Sequence, residues 1–174
     1  MRRRTIRLAP VAAVAATLLL SGCGLQQSDA VVPNGGLQQP SGAATPITAA
    51  TLSGARFNWS ATRDHVVVLD FWASWCGPCI HEQPDLNKLE ARWAPKGVVF
   101  LGVDLADTDA NGAAFERSFN VPYPSVSDSG EVIASEYNVP DPPTIVIVDA
   151  HGNIVDRFLG TLSGVSSDLT RLTS

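Results

Sequence analysis

The sequence predicts an α/β domain, a three-layer sandwich in which helices flank a mixed central β-sheet. Apolar runs typical of buried strands alternate with helix-like segments, and the last two runs are joined by a short turn that predicts a hairpin. These runs lack strict polar–apolar alternation, as expected for strands covered on both faces. The chain has 174 residues, of which 45% are hydrophobic and 17% charged, a composition typical of a globular domain.

The predicted elements begin near residue 51. A β-branched apolar run over residues 65–71 (HVVVLDF) predicts the first strand, and residues 97–105 predict the second. Between them, Leu86, Leu89 and Trp93 recur at the spacing of one apolar helix face. The remaining predicted elements are helices over residues 110–119, 130–137 and 163–172, and strands over residues 144–149 and 154–159.

The N-terminus has the pattern of a targeting sequence. Four arginines within the first seven positions precede an apolar stretch over residues 8–20, which is shorter than the roughly 20 residues of a membrane-spanning helix. The segment ends in Leu20-Ser21-Gly22-Cys23, which resembles the lipobox of bacterial lipoproteins. That resemblance implies removal of residues 1–22 as a signal peptide and a diacylglycerol on the Cys23 thiol. It places the protein on the extracytoplasmic face of the cell membrane.

Composition divides the rest of the chain in two. From residue 24 to about residue 50, Gln, Pro, Gly, Ser and Ala dominate without an apolar period, which predicts a flexible tether. We therefore expect a lipidated Cys and tether over residues 23–50 and a folded domain over residues 51–174. The net charge of −5 argues against a nucleic-acid partner, because such proteins carry a basic surface.

Two cysteines, Cys76 and Cys79, carry the clearest chemical signal. They stand three residues apart at the predicted start of a helix, where the partial positive charge favours a thiolate on Cys76. Cys76 is then the exposed, attacking sulfur, and Cys79 resolves the mixed disulfide. A merely stabilising disulfide is disfavoured because so small a ring removes little entropy from the unfolded chain. A zinc site lacks a second Cys pair, and Ile80 stands where haem attachment would require His.

The segment DFWASWCGPC over residues 70–79 resembles the active-site strand and loop of thioredoxins. Glu82 and Pro84 after the Cys pair, the run Pro143-Thr144-Ile145 and the D-x-x-G turn over residues 149–152 are similar to the extracytoplasmic TlpA/ResA-like branch. The resemblance covers about residues 51–172. It implies a thioredoxin-like fold and thiol–disulfide oxidoreductase activity.

By this resemblance, Pro143 corresponds to the cis-proline that faces the disulfide. The residue before it, Pro142, has no N–H, so a substrate strand can bond only to its carbonyl. The residues implied to contact substrate are Trp75, Gly77, Pro78, Pro142 and Pro143.

Asp70 lies where thioredoxins have a buried Asp behind the second Cys. On an apolar strand its pKa should be raised by desolvation, so that it can accept the Cys79 proton through water. Glu82 matches a family carboxylate that tunes Cys79 or contacts substrate. Other polar and aromatic residues are assigned no chemistry: Trp72 to packing, His81 to an exposed position, and Glu116, Asp128 and the other scattered acids to the solvated surface.

The sequence thus predicts a membrane-tethered oxidoreductase that reduces protein disulfides, for example in cytochrome c maturation. It needs no cofactor or metal, acts on protein thiols and disulfides, and is recycled by a membrane redox partner. Gly77 and Pro78 match the thioredoxin type, whose potential is about −270 mV against about −120 mV for the strongest oxidants. Oxidation or isomerisation of exported proteins is the alternative direction. A copper metallochaperone on the same fold is an alternative of another class, although such relatives space their cysteines by three residues.

Overall fold

The computed structural model describes residues 42–174, in which five strands form one sheet covered by four α-helices. The strands are β1 (Val67–Trp72), β2 (Val99–Leu105), β3 (Ser125–Asp128), β4 (Thr144–Val148) and β5 (Ile154–Leu159). The helices are α1 (Gly77–Trp93), α2 (Asp109–Phe119), α3 (Val132–Glu136) and α4 (Val165–Leu172).

The sheet has the strand order β3-β2-β1-β4-β5. Strand β1 pairs in parallel with β2 and antiparallel with β4, and β4 pairs antiparallel with β5 through the predicted hairpin. The predicted α/β sandwich with a mixed central sheet is therefore confirmed. Because β1 is central and covered on both faces, all six of its residues are buried.

Apolar clusters fill the space on the two sides of the sheet. On one side, Leu86 and Trp93 of α1 and Leu169 of α4 pack among buried side chains of β1, β2, β4 and β5. On the other side, Ala134 of α3 and the N-terminal residue Ile47 lie in a second buried cluster with residues of β1, β2, β3 and β4. The side that carries α1 is the one that holds the two cysteines.

Strand β3 is absent from the sequence-based prediction. It has only four residues, Ser-Val-Ser-Asp, and Val126 is its single apolar residue. Strand β2 supplies its pairing partner, and both Ser125 and Val126 are fully buried. Tertiary packing, not a hydrophobic pattern, therefore places this edge strand.

The folded domain begins earlier than residue 51. Ala43 forms a bridge with Asn153 of the hairpin, Ile47 is buried, and the Tyr137 hydroxyl donates to the Thr45 carbonyl at 2.6 Å. Residues 42–50 are therefore not the free tether that their composition predicts, because Ile47 has a site in the core. The rest of the tether, the signal peptide and Cys23 lie outside the described residues.

Two acids expected on the solvated surface have structural partners instead. Asp128 is buried and accepts the backbone N–H groups of Val132, Ile133 and Ala134 at 2.8 to 3.1 Å, which caps the start of α3. Glu116 accepts the N–H of Ser125 at 3.1 Å and so ties α2 to β3. Both predictions were wrong because Asp128 and Ser125, the partner of Glu116, lie in β3, a strand that has no sequence signal of its own.

Candidate active site

The two cysteines lie at the N-terminus of α1, directly after the central strand. Cys76 is the N-cap residue, and its Sγ accepts the backbone N–H of Cys79 at 3.2 Å. Pro78 occupies the first turn, where its missing N–H leaves no helix bond unmade. A disulfide joins Cys76 and Cys79. On reduction, the free N–H groups and the helix dipole would stabilise a Cys76 thiolate.

Cys76 is less exposed in this disulfide form than the sequence suggests. It is 4% exposed and Cys79 is 3% exposed, because both pack with Trp72, Ala73 and Phe115. Trp72 stacks on Phe115 with ring centroids 4.4 Å apart and serves packing, as predicted. The cap position, not exposure, therefore distinguishes Cys76 from Cys79.

Backbone and carboxylate contacts from the loop after β2 hold the loop that carries the cysteines. Asp107 Oδ2 accepts the N–H of Ser74 at 2.9 Å, and the Trp75 indole donates to the Ala106 carbonyl at 3.3 Å. Partial burial opposes ionisation of Asp107, but hydrogen bonds from Ser74, Thr108 and Asn111 outweigh it and lower its pKa. Trp75 remains 59% exposed and forms a rim beside the disulfide.

Asp70 is buried in β1, on the face of the sheet that α1 covers. Its Oδ2 accepts the Tyr123 hydroxyl at 2.9 Å, whereas Oδ1 has no hydrogen-bond partner among residues 42–174. Burial raises its pKa to about 7; the Tyr123 hydrogen bond opposes this rise and the charge of Glu82 adds to it. This is the direction that its position in an apolar strand predicts.

Glu82 lies one turn after Cys79 and is half-buried. Its Oε1 is buried without a hydrogen-bond partner in the described part of the chain. Burial, and then the nearby charge of Asp85, raise the pKa of Glu82. The structure thus brings Glu82 near Asp70, close enough for the two charges to interact.

An open cavity of about 460 Å³ lies beside the disulfide helix. It brings the start of α1 together with Pro143 and the loop after β5, whose Gly160 donates its N–H to the Pro143 carbonyl at 2.8 Å. The Pro142–Pro143 peptide bond is cis, and Pro142 is half-buried. The lining residues are Pro78, His81, Glu82, Asp85, Pro143, Gly160, Thr161 and Leu162. His81 is exposed there, as predicted.

Three buried residues of this region were missed at the sequence level. Gln83 and Tyr123 join Asp70 in a hydrogen-bonded chain, since the Gln83 amide donates to the Tyr123 hydroxyl at 2.9 Å. Asp104 of β2 is fully buried, and neither of its carboxylate oxygens has a hydrogen-bond partner within residues 42–174. Gln83 carried a signal, because it stands one turn after Cys79 on the apolar side of α1. Tyr123 and Asp104 carried none.

Residues 42–174 lack two features that would suggest other functions. They contain no group of three or more His, Cys, Asp or Glu side chains arranged to hold a metal ion. None of the helices in this part of the chain has the length and apolarity needed to cross a membrane.

The disulfide at the start of a helix, following the central strand of a mixed sheet, defines a redox protein of the thioredoxin fold. The sequence profile of the Redoxin family matches residues 32–172. The chain belongs to the Redoxin family.

Similar proteins agree with that assignment. The chain is 30% identical over 109 residues to the thiol-disulfide oxidoreductase ResA of Bacillus thuringiensis, and the match covers 63% of each protein. It is 34% identical over 115 residues to the thioredoxin-like protein YneN of Bacillus subtilis, covering 65% of this chain and 67% of that protein. The match thus spans somewhat less than two thirds of the length of ResA. The predicted resemblance to the TlpA/ResA-like branch is confirmed.

A solved structure shares the fold as well. The secreted disulfide oxidoreductase of Mycobacterium tuberculosis that is homologous to Escherichia coli DsbE superposes with a TM-score of 0.65. The two sequences are 28% identical, and the match covers 73% of this chain and 96% of the other. The thioredoxin-like fold class is therefore confirmed.

Proposed function

We propose that this protein is a thiol–disulfide oxidoreductase that reduces disulfides of protein substrates outside the cytoplasm. The observation that carries the proposal is the Cys76–Cys79 disulfide at the N-terminus of α1, beside an open cavity lined by Pro78 and Pro143. The similarity to the thiol-disulfide oxidoreductase ResA and to the secreted disulfide oxidoreductase homologous to DsbE supports the same chemistry.

The reaction begins with the reduced protein. The Cys76 thiolate attacks one sulfur of a substrate disulfide, forming a mixed disulfide and releasing the other substrate sulfur as a thiolate that takes a proton from water. Cys79 then gives its thiol proton to Asp70 and attacks Sγ of Cys76. The second substrate sulfur leaves as a thiolate, which is protonated in turn. The substrate gains two electrons, and the Cys76–Cys79 disulfide is formed.

Asp70 suits the second step because of its environment. A carboxyl group whose pKa lies near 7 can accept a proton and return it near neutral pH, which an exposed Asp does poorly. Glu82, with a buried unpartnered oxygen at the cavity, is the alternative acceptor. Trp75, Gly77, Pro78, Pro142 and Pro143 would contact the substrate segment around its disulfide.

The direction of electron flow follows from the partner that recycles the enzyme. A membrane thiol donor would keep Cys76 and Cys79 reduced and make the protein a reductase, as in cytochrome c maturation; an oxidant would make it an oxidase. Gly77 and Pro78 between the cysteines favour reduction. Trapping the cysteines in cells with a thiol-alkylating label distinguishes these directions, because a mainly oxidised pair would contradict the reductase assignment.

Membrane attachment is the second part of the proposal. The Leu20-Ser21-Gly22-Cys23 sequence supports lipidation of Cys23 on the outer face of the membrane. Cys23→Ser should abolish lipid labelling and leave the precursor uncleaved. Mass spectrometry that finds an unmodified N-terminus elsewhere would contradict the attachment.

The roles of the two cysteines provide the test of the activity. With Cys79→Ser, the mixed disulfide through Cys76 should accumulate because nothing resolves it. With Cys76→Ser, disulfide reduction should stop and no adduct should form. Equal trapping by both variants on a non-reducing gel would show that the roles are wrongly assigned, and wild-type reduction by either variant would reject the mechanism.

A further inference from the structure

A network of hydrogen-bonded side chains extends from Asp70 on β1 to Asn87 on α1. The Tyr123 hydroxyl donates to Asp70 Oδ2 at 2.9 Å, and Gln83 Nε2 donates to the Tyr123 oxygen at 2.9 Å. The same Nε2 donates its other hydrogen to Asn87 Oδ1 at 2.9 Å. Asp70, Gln83 and Tyr123 are 1%, 1% and 5% exposed, so water does not compete for the two bonds that join these three residues.

The donor–acceptor direction of these hydrogen bonds is fixed at Asn87, the last residue of the network. Asn87 Nδ2 donates to the backbone carbonyls of Phe119 and Asn120, at 2.9 and 3.4 Å. A carbonyl can only accept, so Asn87 must present its nitrogen to the backbone and its oxygen to Gln83. Gln83 must then present its nitrogen to both Asn87 and Tyr123.

The Tyr123 hydroxyl takes part in two hydrogen bonds of this network. Its oxygen accepts from Gln83, and its single hydrogen is donated to Asp70 Oδ2. Oδ2 is therefore an acceptor in this arrangement. When Asp70 is neutral and this hydrogen bond is kept, its proton resides on Oδ1, the oxygen that has no partner within residues 42–174.

Two residues of this network, Gln83 and Asn87, lie on the same face of α1 as Cys79. Cys79, Gln83 and Asn87 follow one another at intervals of four along α1, and residues four apart share one helix face. Gln83 thus reaches the Asp70–Tyr123 pair from the helix turn that follows Cys79. Asp70 faces one ionisable group on α1 that acts through its charge, Glu82, and the strand partners opposite it are Gly102 and Ile145.

We propose that Tyr123, held by Gln83 and Asn87, is a positioning residue that makes Oδ1 the oxygen at which Asp70 exchanges its proton with the cysteine pair. This inference rests on the proposed function for its chemistry, but the hydrogen-bond order itself does not. The hydrogen bond favours the ionised carboxylate, because the hydroxyl donates to it. Removing it should make Asp70 a carboxyl that ionises only at higher pH.

The first measurement is an infrared titration of the carboxyl band of the oxidised protein, in which neither cysteine titrates. The Asp70 band is identified by its absence in Asp70→Asn. Tyr123→Phe keeps the ring and removes the donor, and should raise the pKa of Asp70 by about one pH unit, which is the worth of a hydrogen bond to a charged group. Gln83→Met, which frees the Tyr123 hydroxyl to rotate, should raise it by less.

Tyr137→Phe is the matched control. Tyr137 is also a buried tyrosine, but its hydroxyl donates to the Thr45 carbonyl in the N-terminal segment that packs on the opposite side of the sheet. It loses one hydrogen bond, as Tyr123→Phe does, and should leave the Asp70 titration unchanged. An unchanged Asp70 pKa in Tyr123→Phe, or an equal rise in Tyr137→Phe, would overturn the proposal.

The second measurement follows the resolution step. In Tyr123→Phe, the pH dependence of mixed-disulfide resolution by Cys79 should move upward together with the Asp70 titration. Below the pKa, resolution should be several-fold to about tenfold slower, and the difference should vanish at high pH. A loss of equal size at every pH would indicate a merely structural role and reject the proposal. Failure of the wild-type protein to reduce disulfides rejects the proposed function, while the titration still decides the hydrogen-bond order.

Discussion

The candidate active site contains a buried carboxyl group, Asp70, and a second buried carboxyl group, Asp104, lies on the neighbouring strand. Asp70 of β1 lies opposite Gly102, and Trp72 lies opposite Asp104 of β2, so both acids project from the same face of the sheet. Burial is the main cause of the raised pKa in each: to about 7 for Asp70, and to about 8 for Asp104, where the charges of Asp107, Asp109 and Glu116 add to it.

The two acids differ in the hydrogen-bond donors that are available to their ionised carboxylates. Asp70 has a hydroxyl donor on one oxygen and lies near Glu82 and the turn of α1 that follows Cys79. Asp104 has no donor from residues 42–174, and its carboxylate lies against the backbone of α2 at Gly112. Burial thus raises the pKa of both carboxyl groups. The Tyr123 hydroxyl and the nearby turn of α1 that follows Cys79 distinguish Asp70 from Asp104, and they support its proposed role in proton transfer.

The largest expected effect is on stability as a function of pH. Well below pH 3.8, the ordinary pKa of Asp, each acid is neutral in both the folded and unfolded states. As the pH rises, the unfolded chain ionises first, so the free energy of unfolding falls until the pH passes the folded pKa. For Asp70, a rise from 3.8 to about 7 corresponds to a loss of roughly 4 kcal/mol.

Urea unfolding of the oxidised protein from pH 4 to pH 9 measures this loss. Asp70→Asn should remove the part of the slope that ends near pH 7, and Asp104→Asn the part that extends to about pH 8. If both variants retain the wild-type slope, neither acid is protonated in the folded protein near neutral pH.

A smaller effect separates the two acids by their chemistry. Asp70→Asn should slow resolution of the mixed disulfide about 100-fold, the lower range for loss of a general base, whereas attack by Cys76 should change much less. Asp104→Asn, the matched control, should leave both steps within about twofold. Rapid-quench analysis with a model disulfide separates the steps. Wild-type resolution by Asp70→Asn across pH 6 to 8 would transfer the proton-accepting role to Glu82.

The smallest expected effect concerns the packing around Asp104. A methyl group at Gly112 would collide with the Asp104 carboxylate and come within 2.9 Å of Leu52 Cδ1. Gly112→Ala should therefore destabilise the protein by about 1–3 kcal/mol, although Ala favours helices over Gly. In an Asp104→Ala background the cost should shrink, which a double-mutant cycle by denaturant unfolding tests. A cost that is equal in both backgrounds would assign the collision to Leu52.

The sequence predicted the elements that have a strong local pattern. Strand β1 and helix α1 are marked by an apolar run and by a repeating apolar face, and the cysteine spacing marks the site between them. The short edge strand β3 was missed because it carries a single apolar residue, Val126, and pairs with a strand more than 20 positions away.

The same limit applies to the site. The burial of Asp70 could be predicted because a carboxyl group within an apolar strand is conspicuous, and the direction of its pKa shift follows from that burial. Its partner Tyr123 lies 53 residues away in a connecting loop, and only the assembled sheet brings the two together. Local sequence thus indicates which groups carry chemistry, whereas tertiary contacts set their protonation.

The packed N-terminal segment fixes the direction from which the chain reaches the domain. Ala43 is bridged to Asn153 at the turn between β4 and β5, and Val148 at the end of β4 pairs with Val67 at the start of β1. The cysteines follow the other end of β1, about 20 Å away along six residues of strand. The bridge at Ala43 and the disulfide therefore lie at opposite ends of the central strand, so the point where residues 42–43 join the domain does not cover the cysteine end of the sheet.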